Sequence, residues 1–262
     1  TMPTNKKLGQ HWLKDRGILE DIADEAGLSK DDTVLEIGPG LGTLTSELLR
    51  RAKQVTAVEF DPELARKLPG QFPGKSLEVI STDILDYDLS ALPNGYKVVA
   101  NVPYYITSKI VQKLSETSNP PQTVVILVQK EVAERIAAQA GAMSMMSVSA
   151  QVFFEASLGI EVPREYFTPP PEVDSQTVIL KRRDSPLIDP AEHDLFFRIV
   201  RAGYSERRKK LRSSLSGGLR LPKDQIDSTL EQTGISGQTR AQELSIEDWQ
   251  KLMVNLKDNF KL

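Results

Sequence analysis

The chain has no cysteine. Disulfides, thiolate metal sites and cysteine nucleophiles are therefore excluded. Histidine occurs only as His11 and His193, neither with a companion at ligand spacing, so no metal site is expected. No run of about 18 apolar residues offers a membrane-spanning helix. The opening stretch, Thr1 to Leu13 (TMPTNKKLGQHWL), is polar and basic and lacks the apolar core of a secretory signal. Thr1 precedes Met2, which reads as the native start. These absences lead us to expect a cytoplasmic protein.

What is present is ordinary for a globular protein. The 262 residues are 39% hydrophobic and 26% charged, which suits a main domain with a small appended one. The net charge of -3 and the pI near 5.6 argue mildly against a nucleic-acid partner. Distribution argues the other way. Between Arg198 and Arg220 stand eight basic residues and one acid, Glu206, and the N-terminal segment adds Lys6, Lys7, Lys14 and Arg16.

Short β-branched runs at 33–37, 54–59, 77–81, 97–100 and 123–129 read as strands. Helical stretches at 41–51, 62–68, 107–115 and 130–139 alternate with them. That rhythm predicts βαβ units and a mostly parallel, doubly wound sheet. After Gly141 the rhythm changes. Residues 148–154 and 177–181 read as two late strands that close the sheet as an antiparallel pair. A turn-rich stretch, Asp184 to Pro190, places the boundary between domains of residues 1–185 and 186–262. Beyond it, helices are expected at 193–202, 206–215, 223–232 and 246–256. The expected fold class is α/β with a small all-α C-terminal domain.

Residues 36–42 (EIGPGLG) stand where the first strand meets its helix. Glycines there let backbone approach a ligand, and the helix N-terminus offers free N–H groups. The spacing is G-x-G-x-G rather than the dinucleotide pattern G-x-G-x-x-G, with an acid two residues before the first glycine. It resembles the loop that binds S-adenosylmethionine. That ligand has no pyrophosphate to cradle, but its amino group and sulfonium are cationic and favour nearby acids. Gly38 and Gly40 are therefore cofactor candidates. Glu59 ends the second strand, where a carboxylate can accept both ribose hydroxyls. Asp83, after the third strand, suits the cofactor's adenine amino group.

The fourth strand runs into Asn101, Val102, Pro103 and Tyr104. This tetrapeptide resembles the [N/D]-x-P-[Y/F] motif of amino-methyltransferases. The exocyclic amine of adenine is a poor nucleophile because its lone pair is delocalised into the ring. Two acceptors aimed at its N–H bonds favour a tetrahedral nitrogen with a localised pair. The Asn101 side-chain oxygen and the Val102 carbonyl are candidates, with Pro103 fixing the carbonyl's direction. Tyr104 is expected to stack on an extruded base, worth roughly 1–3 kcal/mol. A flipped base needs a second aromatic wall, and Phe167, before three prolines, is the candidate.

These motifs identify a resemblance to the KsgA/RsmA-type small-subunit ribosomal RNA adenine N6,N6-dimethyltransferases. It spans nearly the whole chain, through residues 8–13 (LGQHWL), 34–45, 101–108 (NVPYYITS), 129–135, 167–175 (FTPPPEVDS), 205–212 (SERRKKLR) and 240–245. The resemblance implies a Rossmann-like, S-adenosyl-L-methionine-dependent methyltransferase sheet. It implies dimethylation of two adjacent adenosines near the 3′ end of small-subunit (16S) rRNA, on a pre-30S particle, by a monomer. It also implies cofactor contacts at positions 11, 13, 38, 59, 83 and 101; His11 and Leu13 rest on the resemblance alone. The chain departs from the family at His11, where Asn is usual, and at Val102, where Leu is common.

The run Arg207, Arg208, Lys209 and Lys210, with Arg212, is expected to present a cationic helix end to RNA phosphates. Leu195, Ile199 and Leu211 are expected in the core of the small domain. Three alternatives differ in class. A large-subunit rRNA methyltransferase of the antibiotic-resistance type shares the catalytic motif. An RNA-binding assembly factor without turnover would not need Asn101, Tyr104, Glu59 and Gly38. A nicotinamide-dependent oxidoreductase predicts G-x-G-x-x-G and a Tyr/Lys or His constellation, neither of which is found.

Overall fold

Residues 10–260 and residue 262 are described in the computed structural model. Met2, Lys6, Lys7, Leu8 and Gly9, which entered the expectations above, lie outside the described residues. The chain divides into two compact units. The first takes residues up to 134 together with 154–182, and the second takes 135–153 together with the chain from 183.

The first unit opens with a two-residue strand, β1 (Trp12–Leu13), and helix α1 (Arg16–Glu25). Neither was expected. The Asp15 side chain caps α1 by accepting from the Ile18 amide, and Leu19, Ile22 and Ala23 form its buried stripe. Five parallel strands follow, separated by helices and short turns: β2 (Thr33–Ile37), β3 (Gln54–Glu59), β4 (Leu77–Ser81), β5 (Lys97–Asn101) and β6 (Thr123–Gln129). The helices among them are α2 (Thr43–Arg51), α3 (Pro62–Lys67) and α4 (Thr107–Glu116), with α5 (Lys130–Ile136) after β6. Six consecutive residues of β6 are buried, as expected of a strand covered on both faces.

The late strands are β7 (Phe154–Val162) and β9 (Ser175–Arg182), with the two-residue β8 (Phe167–Thr168) between them. The sheet order is β4-β3-β2-β5-β6-β9-β7, and β9 runs antiparallel to both β6 and β7. The expected antiparallel closure is therefore present. The strand expected at 148–154 is not. Residues 145–151 form helix α6 (Met145–Gln151), and the edge strand begins only at Phe154. Ser144 caps α6 reciprocally with Ser147, and a short apolar run fits helix or strand equally well. β8 pairs with β1, bringing Leu13 opposite Phe167.

The second unit is helical: α6, α7 (His193–Tyr204), α8 (Leu211–Leu219), α9 (Lys223–Thr233) and α10 (Ile246–Phe260). A cut at 185/186 differs from the observed division by the segment 135–153. Its Met143, Val148 and Val152 are buried in one cluster with Phe196, Leu215 and Trp249. Ile199 and Leu211 are fully buried there, and Leu195 packs against the cluster.

The helix expected at 206–215 starts later. Ser205 to Lys210 form a turn, closed by the Lys209 amide donating to the Glu206 carbonyl at 3.1 Å. Six polar residues in a row give a helix no apolar stripe to bury, and Leu211 is the first anchor.

Candidate active site

The chain order β2, β3, β4 runs to one side of the sheet, and β5 and β6 lie on the other. The switch between β2 and β5 leaves a crevice at the strands' C-terminal ends, the usual ligand position in an open α/β sheet. A cleft of about 1120 Å³ occupies it. The cleft collects His11, Leu13, Gly38, Gly40, Glu59 and Asp83. It also collects Asn101, Pro103, Tyr104 and Phe167.

The glycine loop is shaped by what touches it. Gly40 has φ +56°, and a Cβ there would meet the Trp12 ring at 2.4 Å. Trp12 of β1 thus lies directly on the loop. The Gly38 amide donates to the Val58 carbonyl at 2.9 Å, and the Gly40 amide to Glu59 Oε1 at 2.9 Å. Both glycine amides are therefore engaged. Neither N–H group is left free to donate to a ligand. Gly42, φ +86°, caps the N-terminus of α2, which starts at Thr43 and not at Leu41.

Glu59 is buried, and its second oxygen accepts from the Asp61 amide at 2.9 Å. Each carboxylate oxygen has two lone pairs, so acceptor capacity remains for a ligand. Burial raises its pKa above the usual carboxylate range, against the lowering effect of the Asp61 and Gly40 amides. Glu36 is fully buried beside Thr45, whose hydroxyl donates to it. Burial pushes the Glu36 carboxyl up to about 8, opposed by the Thr45 bond and assisted by the charge of Glu59. Asp83, which lines the cleft, accepts from the Leu85 amide through Oδ1 at 2.9 Å.

Asn101 closes β5. Its side chain and the Val102 carbonyl oxygen have no donor among the described residues, although the Val102 amide donates to Leu127 at 3.0 Å. Pro103, at φ −59°, begins a tight turn over Tyr104–Ile106. Tyr104 is 62% exposed, an unusual position for a large ring unless a partner covers it. Phe167 is only 4% exposed and belongs to the same apolar cluster as Leu13 and Val162. It is a packed wall of the cleft. Its ring is far more covered than that of Tyr104.

The structure adds residues that the sequence did not single out. Trp12, Phe60 and Tyr105 line the cleft, and Phe60 and Tyr105 are exposed. The aromatic residue directly after Glu59 was a legible signal for Phe60. Trp12 had none, because its place depends on β1 pairing with β8. His11 Nδ1 lies 2.6 Å from the Pro169 carbonyl oxygen, which joins the N-terminal arm to the proline loop.

In the second unit the five basic candidates separate. Arg212 holds Asp227 through two bonds, at 2.7 and 2.9 Å. Lys209 pairs with Glu206, and Lys210 donates to Gln238. Arg207 and Arg208 are exposed in the turn with no ion pair among the described residues. The basic run is therefore a turn with two free guanidinium groups and not a uniform helix end.

Switch-point crevice, G-x-G-x-G loop, strand-end acids and an Asn-Val-Pro-Tyr strand end define a Rossmann-like methyltransferase. The pattern of the ribosomal RNA adenine dimethylase family matches residues 2–258, and the chain belongs to that family. It is 41% identical to ribosomal RNA small subunit methyltransferase A of Dehalococcoides mccartyi (strain CBDB1), covering 99% of this chain and 90% of that protein. It is 37% identical to the protein of the same name from Bacillus licheniformis, covering 97% and 91%. Among solved structures, a dimethyladenosine transferase from Plasmodium falciparum aligns with a TM-score of 0.81 at 27% identity, covering 95% of this chain and 98% of that one. The 23S rRNA methyltransferase ErmE aligns with a TM-score of 0.76 at 33% identity, covering 94% and 99%.

Proposed function

We propose that the chain transfers methyl groups from S-adenosylmethionine to N6 of two adjacent adenosines near the 3′ end of small-subunit rRNA, giving N6,N6-dimethyladenosine. The observation that carries the reading is a pair of acceptors without a partner among the described residues, the Asn101 side chain and the Val102 carbonyl, beside an exposed Tyr104.

The cleft fits the cofactor by its donor set. Glu59 and Asp83 present carboxylate oxygens for a ribose and an adenine amino group. Gly38 and Gly40 leave room for close approach, and Leu13 and His11 close the side formed by the N-terminal arm. When bound, S-adenosylmethionine supplies a methyl group activated by a cationic sulfonium. The chain's own residues do the rest. Tyr104 stacks on the extruded adenine, and Phe167 bounds the pocket as a packed wall. Asn101 and the Val102 carbonyl accept the two N6 hydrogens and localise the nitrogen's lone pair, with Pro103 fixing the carbonyl. No strong base is required, and catalysis rests on positioning and on electrostatics at N6.

Residues 186–262 contribute RNA binding in this reading, with Arg207 and Arg208 taking backbone phosphates without reading sequence. Lys209, Lys210 and Arg212 supply a cationic surround that is already partly neutralised. The substrate is a pre-30S particle, and the enzyme acts as a cytoplasmic monomer. No described helix is long and apolar enough to cross a membrane.

The likeness to ErmE supports a second reading, in which the target adenine lies in the large subunit. One experiment separates the two. Purified small and large subunits lacking the modification are incubated with labelled S-adenosylmethionine, and the nucleosides are analysed. N6,N6-dimethyladenosine in the small subunit alone is the expected result. Label in the large subunit selects the second reading. No label in either, with cofactor still bound, leaves an RNA-binding assembly factor.

A further inference from the structure

Tyr105 follows the base-stacking tyrosine and has no role in the mechanism above. It is 52% exposed, and its ring stands at 89° to that of Tyr104 with centroids 6.0 Å apart. This is an edge-to-face pair. Both rings ride on one short turn. The Ile106 amide and the Thr107 hydroxyl both donate to the Pro103 carbonyl, at 3.3 and 3.2 Å, and Thr107 is buried. The turn is therefore tied to the start of α4, and the two tyrosines are carried together.

The same ring also lines the cleft that holds the acids assigned to the cofactor. Tyr105 lines it together with Glu59 and Asp83. Its hydroxyl is raised above the ordinary phenol value by burial first, then by the negative charges of Asp83 and Glu59. Those are the two acids assigned above to the cofactor's nucleoside. One residue thus stands at a right angle to the base-stacking ring and lines the same cleft as the nucleoside acids.

We propose that Tyr105 is a positioning residue that links the two halves of the cleft: a bound cofactor nucleoside steadies its ring, and the right-angle pair holds Tyr104 in the orientation that stacks the target adenine. The inference rests on the adenine-capture reading of Tyr104. It makes RNA capture depend on the Tyr105 ring and only weakly on its hydroxyl.

The test is steady-state methyl transfer to unmethylated small subunits by wild type, Tyr105→Ala and Tyr105→Phe, with RNA and S-adenosylmethionine varied separately. Thermal melting of each variant accompanies the kinetics. In Tyr105→Ala the KM for RNA should rise about threefold to tenfold, the range an edge-to-face aromatic pair supplies, with melting unchanged. Tyr105→Phe should restore the wild-type KM. Adding S-adenosylhomocysteine should tighten RNA binding by wild type and by Tyr105→Phe but not by Tyr105→Ala. A Tyr105→Ala enzyme with unaltered KM for RNA, or a wild type whose RNA affinity ignores S-adenosylhomocysteine, overturns the inference while the dimethylase reading stands. A wild type that methylates neither subunit overturns that reading and this inference with it.

Discussion

The His11 imidazole donates from Nδ1 to the Pro169 carbonyl oxygen at 2.6 Å. A carbonyl only accepts, so this nitrogen carries the hydrogen and the neutral ring keeps Nε2 as an acceptor. The bond fastens the N-terminal arm to the loop after Phe167, beside the β1–β8 pair. His11→Ala should weaken S-adenosylmethionine binding by about threefold to tenfold, the worth of one hydrogen bond. His11→Asn keeps a side-chain donor and should recover most of the loss. Titration calorimetry on the three proteins decides it; equal affinities would show that the bond does not support the cofactor site.

Asn101→Ala should retain cofactor binding, weakened by no more than one lost contact, and lower single-turnover methyl transfer by about 10²–10³-fold, the usual effect of deleting one preorganised polar group at a reacting centre. Binding and transfer are measured on the same preparation. Unchanged transfer would remove Asn101 from the mechanism.

Gly40→Ala places a methyl group 2.4 Å from the Trp12 ring at a backbone φ of +56°. The strain should cost about 1 kcal/mol or more in stability, and Trp12 must move off the loop. Melting temperature and cofactor affinity should fall together. A fall in one alone would separate the loop's conformation from its packing against β1.

Glu36 gives a pH dependence with a definite sign. Its carboxyl lies at about 8 in the folded chain against 4.5 for the free group, so the folded state holds the proton more tightly. Its contribution to stability is fully present below 4.5, declines across the interval and is lost as pH rises through 8. Glu36→Gln keeps an acceptor for Thr45 and cannot ionise. Between pH 5 and pH 8 the wild type should lose melting temperature relative to this variant. Parallel melting curves for the two proteins would refute the assignment.

Arg207 and Arg208 are the cations of the basic turn without an ion pair among the described residues. Replacing both with Ala should weaken RNA binding and reduce the salt slope by about one for each phosphate left without its cation. Arg212→Ala breaks the Asp227 pair instead and should leave the salt slope nearly unchanged. Filter binding across a salt series distinguishes them. An equal effect from all three would restore the uniform cationic surface expected from the sequence.

Much of the first unit was legible. The strands at 33–37, 54–59 and 123–129 stand where their β-branched runs lie, because an inner parallel strand is largely buried on both faces; the strand at 77–81 is the half-exposed edge of the sheet. The glycine loop, Glu59, Asp83 and Asn101 were legible because each sits at a strand end that topology delivers to one crevice. Phe167 was found as a residue, but its burial was not, since a single aromatic carries no record of which neighbours cover it. The edge strand β7 was misplaced by several residues. Its sequence, FEASLGIEV, alternates poorly and holds a bulge between Leu158 and Glu161.

The sequence by itself determined the parallel sheet and the strand-end places of the glycine loop and of the Asn101–Tyr104 tetrapeptide, because those depend on local pattern and on the order of strands along the chain. Only the tertiary structure decided that Trp12 lies on Gly40 and that His11 holds Pro169. It also decided that Arg212 is occupied while Arg207 and Arg208 have no ion pair among the described residues. Contacts between distant segments arise from strand pairing, packing and charge partners that the folded chain selects, and no local spacing encodes them.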